Sequence, residues 1–131
     1  MPGALPDGVV VQFRAEGSSM YPAIRDGELI TVGRVTAADI VRGDVLLCRQ
    51  SARLLAHRVV EVAAHGSRHV LWLRGDAKSA CDMPIALSDV VAKVLSVTRN
   101  GRTIPMCGRA ARLRHKARTA ASRAKAWVAL S

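Results

Sequence analysis

Leu54-Leu55-Ala56-His57-Arg58-Val59-Val60-Glu61-Val62-Ala63 decides the fold class of this chain. Its residues alternate as an extended segment would. Leu55, His57, Val59 and Glu61 share one face, while Leu54, Ala56, Arg58, Val60 and Val62 share the other. The stretch predicts a long strand with a histidine projecting from the middle of a sheet. Read without its surroundings, that histidine is a half-buried side chain satisfied by a backbone carbonyl.

Working outward, Val45 to Cys48 lacks polar alternation and predicts a strand buried on both faces, joined to the histidine strand by a hairpin through Gln50 to Arg53. Arg42-Gly43-Asp44 and Arg25-Asp26-Gly27 are turn signals, and the β-branched run Leu29 to Val35 between them predicts a strand. Val9 to Phe13 predicts another. Beyond the central stretch, Gly66-Ser67 marks a turn that leaves His65 and His69 to solvent. His69 to Leu73 then predicts a strand with Trp72 as its core anchor. Arg74-Gly75-Asp76 ends it, and a polar loop follows through Pro84. Val90 to Val97 predicts a strand, Asn100-Gly101 a tight hairpin, and Arg102 to Met106 the return. About seven strands and almost no helix describe a mostly β domain over residues 1–107.

From Gly108 the composition shifts to Ala, Arg and Lys, which are good helix formers. Leu113, Ala117, Ala120, Ala124, Trp127 and Val128 fall on one helical face, so a basic amphipathic helix is expected over 108–131. The formal charge of +10 belongs to this end: residues 1–98 carry eleven Lys and Arg against ten Asp and Glu, and residues 99–131 add nine basic residues and no acid. Such a tail suits an anionic membrane surface or an acidic partner, or is a solvated extension. Nucleic acid is the less expected partner, because the body itself is near neutral. The three cysteines, Cys48, Cys81 and Cys107, have no Cys-x-x-Cys spacing and cannot all pair within the chain, which favours a reducing, cytoplasmic setting. No metal-ligand cluster or cofactor motif is visible. Met1 to Gly8 has neither a basic n-region nor a long apolar run, and reads as neither signal peptide nor membrane span.

Gly17-Ser18-Ser19-Met20-Tyr21-Pro22 follows the first predicted strand. Gly17 opens backbone angles closed to other residues, and Pro22 stops any regular element, so the serines sit in a turn. Alone, this is an ordinary surface loop. At distance, however, come Gly43-Asp44-Val45, His57-Arg58-Val59, Arg74-Gly75-Asp76, Asp82 and Val91-Ala92-Lys93-Val94. From Phe13 to Val97 this ordered series resembles the signal peptidase superfamily, in its histidine-bearing archaeal and endoplasmic-reticulum branch. The resemblance implies a domain of coiled antiparallel sheets and a serine endopeptidase without cofactor. It assigns Ser19 as nucleophile and His57 as general base, with Asp82 favoured to orient the histidine and Asp76 to support it indirectly. It also implies an oxyanion site at the Ser19 amide with Ser18 or a backbone amide near Gly17, and a leader or propeptide substrate with small residues before the cut. The chain departs from the family in having no apolar anchor before the serine turn.

The residue types suit that chemistry. A serine hydroxyl attacks only when a base takes its proton, and histidine, largely neutral near pH 7, can take it and hold it. Two other readings share the early motifs. Self-cleaving repressor-type peptidases resemble this chain but use a lysine where His57 stands. An inactive peptidase-fold module would keep the fold and bind through its basic tail.

Overall fold

The computed structural model describes residues 5–66, 68–82 and 84–106, and the backbone of 121–130. Among the described residues nine strands form one hydrogen-bonded sheet: β1 Val10–Gly17, β2 Leu29–Gly33, β3 Val45–Gln50, β4 Arg53–His65, β5 Arg68–Arg74, β6 Ile85–Ala86, β7 Val90–Arg99, β8 Arg102–Pro105 and β9 Ala121–Leu130. Single 3-10 turns at Ala37–Asp39 and Leu87–Asp89 are the helical elements among the described residues.

The sheet closes on itself because β4 is long enough to be shared. One edge of β4 pairs with β3 from Arg53 to Arg58, while Arg58 to His65 pairs with β5. A shift between Val59 and Glu61 breaks the β5 ladder and bends the strand. From β3 the order continues through β7, β2, β1 and β9, and β9 returns to β4 at Leu55. All pairings are antiparallel except those of β9.

Apolar alternation then sorts the side chains into two cores. Val45 and Leu47 of β3 join Met20, Ile24, Ile30, Val32, Ala56, Val94 and Val97 on one side. Leu46 and Cys48 join Val35, Ile40, Val59, Leu71, Leu73 and Val90 on the other. β3 is therefore buried on both faces, as its unbroken apolar run predicts. Beside it, a buried ion pair joins Lys93 Nζ of β7 to Asp44 Oδ2 at 3.0 Å. The Asn100-Gly101 hairpin is also as expected: both residues have positive φ, 52° and 75°, and Arg99 faces Arg102.

Two expectations need correction. Trp72 is not a core anchor; it is 36% exposed, opposite Glu61, because the two-residue period of β5 turns Leu71 and Leu73 inward and so sends Trp72 outward. The helix expected over 108–131 is a strand at 121–130. The edge of β1 away from β2 pairs with β9 at seven of its residues between Val10 and Gly17, and tertiary pairing of that kind overrides the weak helical preference of an Ala-rich segment. Residues 108–120 and Ser131, with Cys107, lie outside the described residues. Among the described residues no helix is long and apolar enough to cross a membrane.

Candidate active site

The serine turn is fixed from both sides. Gly17 ends β1 with φ +102°, which a β-carbon would resist, and its N–H donates to Asp26 Oδ1 at 2.8 Å. Met20 and Ile24 on the far side of the turn are fully buried in the first core, and Ile24 N–H donates to the Met20 carbonyl at 3.0 Å. Arg99 reaches over from β7 and donates to the carbonyls of Pro22 and Ala23 while forming a forked ion pair with Glu28. Ser19, between these anchors, is 5% exposed.

His57 projects from β4 opposite Leu46 of β3 and is completely buried. Its Nε2 lies 2.9 Å from Ser19 Oγ, although the two residues are 38 positions apart. Its Nδ1 is hydrogen-bonded to Asp82 Oδ2. With a carboxylate accepting at Nδ1, the ring proton sits on Nδ1, and Nε2 turns its lone pair to the serine hydroxyl. Asp82 reaches this point because its chain is tied back to β5: Asp82 N–H donates to the Leu73 carbonyl at 2.8 Å, and Lys78 N–H closes a turn on the Gly75 carbonyl at 2.9 Å.

Gly75 brings the β5 end and the serine turn into contact. A β-carbon there would stand 2.7 Å from the Ser19 carbonyl oxygen, 3.0 Å from Ser19 Cβ and 3.1 Å from His57 Nε2. The neighbouring Ala77 N–H donates to that same Ser19 carbonyl at 2.8 Å. The sequence marks Gly75 as a turn residue; its closeness to Ser19 and His57 emerges only with the pairing of distant strands.

Asp76 stands apart from the histidine. Both its oxygens accept from Arg58, at 2.8 Å from Nε and 2.8 Å from Nη2, and its N–H donates to Met20 Sδ at 3.4 Å. The Asp76 carboxylate raises Arg58 further above its ordinary range, with burial opposing. Arg58 lies on the opposite face of β4 from His57, and also donates to the Gly43 carbonyl at 2.8 Å. The Gly-Asp-Val, His-Arg-Val and Arg-Gly-Asp stretches thus meet at Arg58.

Of the expected oxyanion groups, the Gly17 amide is taken by Asp26, and Ser18 is exposed with its carbonyl accepting from Tyr21 N–H at 3.0 Å. The Ser19 amide, on the nucleophile itself, is not among the turn amides that donate to a described residue, which are those of Gly17, Tyr21 and Ile24. Nearby Cys48 is held as a thiol, pushed up to about 12 by burial first and by the charges of Asp89 and Asp82 after it. Among the described residues no cluster of His, Cys, Asp and Glu is arranged to hold a metal. An open groove of about 640 Å³ between Arg68–Val70 and Pro84–Ser88 contains none of Ser19, His57 and Asp82.

Ser19, His57 and Asp82, predicted from three separate stretches, therefore form one hydrogen-bonded line, and Asp76, Ser18 and Gly17 surround it without joining it. No protein-family model, no curated protein and no solved structure matches the chain, so this site is read from its own geometry.

Proposed function

We propose that the chain is a serine endopeptidase in which Ser19 is the nucleophile, His57 the general base and acid, and Asp82 the group that orients the imidazole. The observation that carries the reading is the unbroken contact from Ser19 Oγ through His57 Nε2 and Nδ1 to Asp82 Oδ2. Ser19 Oγ attacks the carbonyl carbon of a peptide bond as its proton passes to His57 Nε2. The carbonyl oxygen becomes an oxyanion facing the Ser19 amide, and a preset donor of this kind contributes about 3 kcal/mol. His57 then gives the proton to the leaving amine nitrogen, which frees the C-terminal product and leaves an ester on Ser19. A water deprotonated by Nε2 hydrolyses the ester, and the proton returns to Ser19 Oγ.

Asp76 keeps the loop in place through Arg58. A leader or propeptide with small residues before the cut is the substrate class we infer from the motif resemblance, in a reducing, cytoplasmic setting that suits the free Cys48 and Cys81. Incubation of the purified chain with a peptide library tests the activity. Cleavage is expected from the native chain and a loss of about 10³-fold or more in both Ser19→Ala and His57→Ala, with Ser19→Ala melting as the native chain does. Cleavage undiminished in either variant excludes the mechanism. A mass loss in the chain itself, without added peptide, would instead indicate self-cleavage.

A further inference from the structure

β9 enters the sheet between two strands of special importance: β1, which leads into Ser19, and β4, which carries His57. It runs parallel to β1, from Ala121 opposite Val10 to Leu130 opposite Gly17. On its other side Ala129 faces Leu55, two residues before His57. The 121–130 backbone thus advances toward the serine turn. Leu130 is level with a residue two positions before Ser19, and a strand advances about 3.3 Å per residue. An extended peptide in this register brings a main-chain carbonyl level with Ser19 within about two more residues.

Two further features set β9 apart from the other strands. Among the described residues it alone pairs in parallel, where every other pairing is antiparallel. Its sequence, Ala-Ser-Arg-Ala-Lys-Ala-Trp-Val-Ala-Leu, is poor in strand formers until Trp127, so its order depends on the edges of β1 and β4 rather than on its own preference. Main-chain pairing is also the part of recognition that any extended peptide can supply.

We propose that the slot between β1 and β4 is the cleft for the stretch of substrate preceding the cut bond, and that the chain's own segment 121–130 fills it and competes with substrate in cis. The docking stands on backbone pairing alone, and only its consequence for catalysis rests on the reading of Ser19 as nucleophile.

The test compares the full-length chain with a Val128→Pro/Ala129→Pro variant. Successive N–H groups of a strand point to opposite edges, so the two prolines remove one donor toward β1 and one toward β4. Amide hydrogen exchange at Arg14 and Glu16, whose N–H groups face β9 while those of Ala15 and Gly17 donate to Glu28 and Asp26, and the rate of Ser19 modification by an acylating peptide mimic are measured on both chains. The variant is expected to exchange faster at Arg14 and Glu16 and to be modified about tenfold faster, as for a native cleft open about one-tenth of the time. An excess of synthetic peptide 121–131 should slow the variant's modification again, and the same peptide carrying both prolines should not. Unchanged exchange overturns the docking. Faster exchange with equal modification rates overturns the competition. Faster exchange with no Ser19 modification in either chain keeps the docked tail but removes the serine-peptidase reading. Should exchange rise in β3 and β7 as well, the single Ala129→Pro chain, which perturbs less, is judged by the same outcomes.

Discussion

A methyl group on Gly75 would lie 2.7 Å from the Ser19 carbonyl oxygen, closer than β-carbons approach backbone atoms. Gly75→Ala must therefore move the serine turn or the end of β5. It is expected to cost about 1–3 kcal/mol of stability, as overpacking does, and at least about 10²-fold in cleavage, because the Ser19–His57 distance depends on that contact. Denaturant melts and cleavage rates measured together check both; an unchanged rate contradicts the role given to the contact. At this scale the sequence was informative about residue types and their order. Ser19 and His57 stood out through the ordered series of motifs and its resemblance to the signal peptidase superfamily; alone, the serine turn reads as an ordinary loop and the histidine as a satisfied side chain. The steric role of Gly75 and the Arg58–Asp76 fork were not legible, since both arise from strands that meet across long stretches of chain.

The elements around the site differ in how their groups meet water. Cys48 lies in β3, buried on both faces, whereas Cys81 is exposed beside Asp82. With the Cys48 thiol pushed up to about 12, chiefly by burial, iodoacetamide at about pH 8 should modify Cys81 in the folded chain and Cys48 only after unfolding. Peptide mapping distinguishes the two, and early labelling of Cys48 would contradict the burial of β3. The clasp between β7 and the serine turn gives a pH dependence. The Arg99 guanidinium holds the Glu28 carboxylate below its ordinary range, with burial opposing and the Arg25 N–H assisting. A lowered folded value means that the clasp stabilises the fold fully above the ordinary glutamate range, and that this contribution fades as pH falls toward the lowered value. Glu28→Gln should therefore melt below the native chain at neutral pH, with the gap narrowing in acid. Thermal melts over about pH 2 to 7 measure it, and a constant gap contradicts the clasp.

Seven strands were readable because alternation and turn residues are local signals: the histidine strand, the two-faced β3 and the Asn100-Gly101 hairpin all follow from neighbours in sequence. Trp72 misled because its size suggested burial, while the strand period assigned it to the open face. β6, two residues long, is too short to carry a period.

Across the whole molecule, a closed sheet brings the amino-terminal turn and the middle of the chain together. β4 serves β3, β5 and β9 at once, and that sharing places His57 beside a serine carried by β1. The basic end of the chain was the least legible part. Its Ala, Arg and Lys content has a real helical preference, and only the unpaired edge of β1, a property of the assembled fold, turns 121–130 into a strand. The charge division between a near-neutral body and a basic end remains a fact of the sequence.

The central claim is that Ser19 and His57 act on each other as nucleophile and base. Its most direct measurement is mass mapping of the native chain and the His57→Ala chain after exposure to an acylating peptide mimic. The account predicts one adduct on the native chain, located on Ser19, and almost none on the variant. Adducts at other residues, or equal modification of Ser19 in both chains, would contradict it.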